Sequence, residues 1–303
     1  MHGGVETGLV PLAGGHSGET FLAEFGGDRS VVRILRPGRR PPGSARRDAA
    51  VLRWVRGLVP VPDVLEVRDA DTSRDVPELL VTAYVDGVRG DEYLAGATPE
   101  DATAVGDDLA QVLVRLAGIA TPGPGLLDGP DLALVPLPAS SVEEWVERLE
   151  GDEEWRTLRS ALAPVVEEAD AVLARTMRSC LVHGDLNLKN LLVDPDRRRV
   201  AAVVDWEHAR SDTPYADLGN LLRFDDPGLD VVRGRVLPAY AECFEEDLLD
   251  LPARAAAADL VALTELAARE VAGPGAVLVR RARALLRARV RHGLAVREAV
   301  ARF

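Results

Sequence analysis

Lysine is nearly absent from this chain. Of 36 basic side chains only Lys189 is a lysine, and arginine supplies the rest. A GC-rich coding sequence produces that bias by mutational drift, so arginine can stand where related proteins use lysine. Cysteine is almost as scarce. Cys180 and Cys243 are the only two, which argues against a disulfide-stapled scaffold and for reduced thiols in the cytosol. The opening MHGGVETGLVPLAGG has no basic region followed by an apolar run, so no signal peptide is read. No window is long and apolar enough to span a bilayer. These absences predict a cytoplasmic protein with no membrane partner.

The 303 residues suffice for one large domain or two modest ones, and a hydrophobic fraction of 47% permits a substantial core. The net charge is −13. Such a field repels nucleic acid and anionic lipid and attracts cationic small molecules, and it also serves solubility alone. Nucleic acid is therefore excluded as the expected partner. The oligomeric state is not legible.

Two textures divide the chain. LVPLAGG, ETFLAEF and SVVRIL are short apolar runs separated by the turns GGHSG and GGDR. SARRDAAVLRWVRGL then has helical spacing, with Ala49, Leu52, Val55 and Leu58 on one side and Ser44 as the expected N-cap. VPVPDVLEVRD and PELLVTAYV read as two more strands. From Thr98 onward long helical stretches dominate: TPEDATAVGDDLAQVLVRLAGI with a Thr cap, SVEEWVERL, and WRTLRSALAPVVEEADAVLARTM. A β patch at CLVHG, NLLVD and VAAVVDW interrupts them. The expectation is an α+β protein with a small β-rich lobe over residues 1–86 and a larger helical lobe over 87–303.

The chemistry concentrates in the β patch. In LVHGDLNLKNLLVD, Asp185 sits in a loop between two apolar runs and Asn190 follows five residues on. Asp205 closes the run VAAVV. If the two β segments pair, Asp185, Asn190 and Asp205 meet on one rim. Oxygen ligands of this kind suit Mg²⁺, which takes one or two protein oxygens plus phosphates and water. A carboxylate beside the metal can orient a hydroxyl and accept its proton. The combination describes phosphoryl transfer to an alcohol.

HGDLNLKN and VVDWEHA resemble the catalytic loop and metal-binding motif of the aminoglycoside phosphotransferase-like kinases, a superfamily that includes choline, homoserine and macrolide kinases. Protein kinases carry Arg after this His, whereas Gly184 is the small-molecule form. The downstream PYADLGNLL fits as well, and the resemblance covers nearly the whole chain. It implies a protein-kinase-like two-lobe fold whose N-terminal lobe binds nucleotide, with ATP and Mg²⁺ as cofactors. It makes Asp185 the catalytic, hydroxyl-orienting residue and Asn190 and Asp205 the Mg²⁺ ligands. Asp217 would brace the catalytic loop, and His183 would scaffold it. Glu207 could face solvent, metal waters or substrate. Lys189 reads as an exposed loop cation or a phosphate contact, and Asn187 as a phosphate contact or a loop-bracing amide.

In the first lobe the resemblance makes GGHSGETF the nucleotide loop, with Gly15 for close backbone approach and Ser17 as its phosphate-contacting side chain. The strand position that usually carries Lys presents Arg33. The helix position of its usual Glu partner presents Asp48, four residues before Leu52. An Arg33–Asp48 pair keeps the charge complementarity with different fork geometry. The peptide groups of Ala83 and Val85 would meet adenine, with Thr82 at the back of the pocket.

The acceptor is not spelled out by these motifs. Acids in EEWVERLEGDEEW, between Glu143 and Trp155, and Asp212 would suit a cationic small-molecule substrate such as an aminoglycoside or basic peptide; a solvated helix face is the plainer account of the EEW stretch. The alternatives are a metabolic kinase of choline, homoserine or sugar type and a silent nucleotide-binding protein. The basic stretch VLVRRARALLRARVRHGLAVREAV is expected to pack as a terminal helix on an acidic lobe.

Overall fold

β-branched and aromatic side chains build the first sheet. In the computed structural model, which describes residues 9–12, 19–25, 27–36, 38 and 40–294, β1 (Leu9–Pro11), β2 (Glu19–Phe25) and β3 (Asp28–Leu35) form an antiparallel meander. Helix α1 (Ser44–Val55) follows, then β4 (Val64–Arg68) and β5 (Glu78–Ala83), giving the strand order β1-β2-β3-β5-β4. Ala49, Val51, Leu52 and Val55 of α1 are buried in a core that continues into the second lobe.

Two details of α1 differ from the sequence expectation. The helix stops at Val55, so Leu58 lies beyond it and is exposed. Ser44 is the first helical residue rather than the cap, and its hydroxyl donates to the Pro41 carbonyl at 2.6 Å. The capping function comes from another strand. The buried carboxylate of Glu78 on β5 accepts from the Gly43 amide at 2.6 Å and the Ala45 amide at 2.9 Å. It serves donors that no helical carbonyl can reach and places an anion at the positive end of the helix dipole.

After β5 the chain crosses through Tyr84 to Gly87 into β6 (Val88–Arg89), which already pairs with a strand of the larger lobe. Helix α2 (Gly90–Gly96) leads to α3 (Pro99–Ala117), which begins with the Thr98–Asp101 capping box. The short strands β7 (Ala120–Thr121), β8 (Gly125–Asp128) and β9 (Ala133–Val135) come next, then α4 (Val142–Arg148), α5 (Glu153–Ala161) and α6 (Ala163–Leu173). The stretch read as one helix from Trp155 is thus two, parted at Leu162, with Pro164 in the first turn of the second.

The central β patch supplies β10 (Ser179–Val182), β11 (Leu191–Asp194), β12 (Arg199–Val203) and β13 (Arg210–Asp212); helices α7 (Ala216–Leu221), α8 (Leu229–Phe244), α9 (Leu251–Ala268) and α10 (Ala276–His292) complete the described chain. The strands sort into two sheets, β12-β11-β6 and β7-β10-β13-β8-β9. Of the second sheet only β10 was read from the sequence, because its other strands, of two to four residues, carry too little periodicity. A second apolar cluster joins α4, α5, α6, α9 and α10. The basic α10 packs on acids as expected: buried Arg283 pairs with Asp152 at 2.9 Å and Glu154 at 2.5 Å. The two-lobe α+β architecture is the one the sequence led to. Cys180 and Cys243 are free thiols.

Glu78→Gln should weaken the cap of α1, because the amide has one oxygen where the carboxylate had two. The expected loss is about 1–2 kcal/mol, read as a lower urea midpoint at unchanged slope. An unchanged midpoint would show that the carboxylate contributes nothing.

Candidate active site

Strand pairing assembles the site. Leu191 lies opposite Val203 in the β11–β12 ladder, and the Val204 amide donates to the Asn190 carbonyl at 2.9 Å, which sets Asp205 beside Asn190. Val182 lies opposite Arg210 in the β10–β13 ladder, so the loop opening at His183 passes over His208. Gly184 makes that crossing possible. Its φ is +81°, and a Cβ there would stand 2.2 Å from the His208 carbonyl oxygen.

Asp217, at the start of α7, holds the loop. Its buried carboxylate accepts from the His183 amide at 2.7 Å and the Gly184 amide at 2.9 Å. Burial pushes this carboxyl above the ordinary range, opposed by His183, by the two amides and by Arg210. His183 is fully buried and stacks on Trp206 with ring centroids 4.6 Å apart. Its Nε2 meets the Val204 carbonyl at 2.9 Å, and its Nδ1 meets the Asp185 amide at 3.3 Å. A carbonyl only accepts and an amide only donates, so Nε2–H faces Val204 and Nδ1 faces the Asp185 amide. His183 therefore ties the Asp185 loop to the end of β12 as a scaffold.

Asp185, Asn190 and Asp205 do share one rim. Asp185 Oδ1 accepts from Asn187 Nδ2 at 3.1 Å, and Oδ2 accepts from Asn190 Nδ2 at 3.0 Å. Asn187 also accepts the Lys189 amide at 3.0 Å, so it braces the loop, while Lys189 is exposed. The nitrogen of Asn190 is engaged with Asp185, which leaves its side-chain oxygen for a cation. Asp205 has φ +68° and a side chain 38% exposed. No group of three or more His, Cys, Asp or Glu able to hold a metal occurs among the described residues. One carboxylate and one amide oxygen fit Mg²⁺ held mainly through phosphates and water rather than by a protein cage.

The first lobe departs from expectation. Arg33 Nη1 meets Asp205 Oδ1 at 2.9 Å and its Nη2 meets Glu207 Oε2 at 2.5 Å. Asp48 pairs instead with Arg40 at 2.5 Å and Arg47 at 2.9 Å. The anticipated Arg33–Asp48 pair is thus replaced. The longer guanidinium fork reaches past α1 to the turn at Asp205, and the shorter acid is claimed by arginines on its own side. Glu207 accordingly faces Arg33 and Arg40, the latter at 3.7 Å. Gly15 and Ser17 lie outside the described residues. The Ala83 amide donates to the Asp63 carbonyl at 2.8 Å, so Ala83 has only its carbonyl to offer a ligand; Val85 has no backbone acceptor for its amide among the described residues. Thr82, Ala83 and Val85 all line the cleft.

That cleft is continuous, about 1840 Å³, and runs from Val31 and Thr82 past Asp185 and Asp205 to Trp145 and Glu265. The acids between Glu143 and Trp155 mostly serve structure. Glu144 binds Ser140, Glu153 binds Arg156, and Asp152 caps α5 and pairs with Arg283. In the cleft, Asp212 is paired with Arg210 and Asp226 with Arg281, each at 2.8 Å. Glu265 makes no ion pair among the described residues and accepts the Trp145 indole N–H at 3.0 Å. This Trp145–Glu265 pair and Arg47 had no sequence signal. Both depend on contacts more than a hundred residues apart in the chain.

The phosphotransferase enzyme family matches residues 8–258. A thermostable mutant of aminoglycoside phosphotransferase APH(4)-Ia, solved in ternary complex with ADP and hygromycin B, shares the fold, with a TM-score of 0.68, 18% identity and 94% of each chain covered. A microcompartment-associated aminopropanol kinase does so with a TM-score of 0.65 and 22% identity over 95% of this chain and 94% of that one. Acyl-CoA dehydrogenase family member 10 of Mus musculus is 27% identical over 215 residues, 69% of this chain. The match covers only 20% of that longer protein.

Gly184→Ala should cost about 2 kcal/mol or more, from the left-handed backbone and the approach to His208 together. Chemical denaturation measures it, and a neutral alanine would mean that the loop does not cross His208 in this way.

Proposed function

Since the chain belongs to the phosphotransferase enzyme family, whose span takes in both walls of the cleft, we propose that it transfers the γ-phosphoryl group of ATP, with Mg²⁺, to a hydroxyl of a small cationic molecule in the cytoplasm. The observation that carries this reading is the Asp185 carboxylate, held by Asn187 and Asn190 on the same rim as Asp205. Asp185 orients the acceptor hydroxyl and takes its proton as the oxygen attacks phosphorus. Asn190 and Asp205 would hold Mg²⁺, which would supply positive charge to offset that of the phosphates. Arg33, which lines the same cleft beside Asp205, would contact the same phosphates. By the family resemblance Gly15 and Ser17 would meet those phosphates, and the Ala83 carbonyl and Val85 amide would meet adenine. Intact Asp185, Asn190 and Asp205 speak against a silent nucleotide-binding protein.

For the acceptor, a cationic antibiotic, with resistance as the outcome, is one reading. The overall charge of −13 favours it. A second is an amino alcohol of metabolism. Asp212 and Asp226 already face arginines, and Glu265 beside Trp145 offers one carboxylate and one indole face, a fit for a single ammonium group. ATP consumption against aminoglycosides, basic peptide antibiotics, macrolides, choline, homoserine and simple amino alcohols separates the two. Turnover with none of them would remove the cationic-acceptor reading.

Asp185→Asn should keep the loop's shape and lower turnover by about 10²–10⁴ while nucleotide affinity barely changes. A variant near the wild-type rate would move the catalytic centre elsewhere. Asp205→Ala should abolish the Mg²⁺-dependent part of nucleotide binding measured by calorimetry, and its persistence would disprove the ligand assignment.

A further inference from the structure

Arg47 is one turn into α1, mostly buried, and points away from the rest of its helix surface into the second lobe. Its Nη1 donates to the Glu207 carbonyl at 2.9 Å and the Trp206 carbonyl at 3.2 Å. Its Nη2 donates to the Ala209 carbonyl, and its Nε donates to the Leu127 carbonyl on β8 at 3.3 Å. One guanidinium thus gathers three carbonyls of the turn that follows Asp205. That turn needs holding, because Asp205 itself is in the left-handed region, which a non-glycine residue keeps only when its surroundings impose it.

The charges are layered to support this. Asp48, 3% exposed, accepts from Arg47 at 2.9 Å and from Arg40 at 2.5 and 3.1 Å. Arg40 in turn stands 3.7 Å from Glu207, which pairs with Arg33. A carboxylate between two arginines keeps both cations in place where burial would otherwise disfavour them.

We infer that Arg47 is a positioning residue that couples α1 to the metal-binding turn, and that Asp48 acts on the nucleotide site through Arg47 and Arg40 rather than by pairing with Arg33. This rests on the phosphotransferase reading and specifies how its metal site is held. The three carbonyls fix the backbone that presents Asp205, so the geometry of the Mg²⁺ ligand depends on a side chain that touches neither metal nor nucleotide. Lysine could not do the same, because one ammonium cannot span carbonyls spread along a turn and a neighbouring strand.

The test is ATP binding by calorimetry, with and without Mg²⁺, alongside thermal unfolding. In Arg47→Met, which keeps the stem and removes every donor, the gain in affinity that Mg²⁺ confers should shrink about ten- to hundredfold, as for other residues that orient metal ligands. Mg²⁺-free binding should stay near the wild-type value. Arg47→Lys should recover part of the gain, and adding Asp48→Asn to the methionine variant should lower it no further. A folded methionine variant with the full Mg²⁺ gain overturns the inference, as does equal loss with and without Mg²⁺, which marks a merely structural staple. Additive loss in the double variant overturns the part assigned to Asp48. If the methionine variant does not fold, the lysine variant decides, and an undiminished gain there overturns the inference. Wild-type protein that gains no affinity from Mg²⁺ overturns the phosphotransferase reading itself; a competent wild type beside an unaffected variant overturns only the role of Arg47.

Discussion

The buried carboxylate of Asp217 is the contact on which the site's geometry depends. It takes two consecutive backbone amides, at His183 and Gly184, just where the chain leaves β10. Those amides lie past the end of the strand, and in a buried loop each unpaired donor is costly. With them satisfied, the backbone turns through Gly184 over His208, and His183 faces inward to meet Val204 and the Asp185 amide. One carboxylate thus sets the entry to the loop, and one imidazole ties it to the end of β12. Asp185 needs no unusual environment of its own, since two asparagine side chains orient it.

Around this centre the scarcity of lysine has reshaped the polar contacts. A guanidinium reaches farther than an ammonium and serves several acceptors in a plane. Arg33 uses that reach to span Asp205 and Glu207, and Arg47, on α1, to gather carbonyls of the larger lobe. Asp48 is left to balance Arg40 and Arg47. The result keeps strand, helix and the turn at Asp205 connected, but through a chain of alternating charges rather than through one ion pair between strand and helix.

The acceptor side follows a different economy. Most of its acids are engaged in helix caps and arginine pairs, so the strongly negative total charge overstates the negative potential available to a ligand in the cleft. Glu265, hydrogen-bonded to the Trp145 indole, lines the cleft without an arginine ion pair among the described residues. Its neighbours in the cleft include apolar side chains such as Leu173, Val261 and Leu266.

The sequence alone determined the α+β division, the helix from Pro99 with its Thr98 cap, and the rim of Asp185, Asn190 and Asp205. Each of these rests on local pattern: strand-length apolar runs, capping chemistry, and two segments whose pairing leaves their loops side by side. Tertiary structure decided the partners of side chains. Glu78 caps α1 from another strand, Glu207 takes the place foreseen for Asp48 beside Arg33, and Trp145 reaches Glu265 across 120 residues. Periodicity reports which face of an element is buried, but the partner of a charge depends on reach and competition among several nearby ions, which are settled only when distant segments are packed together.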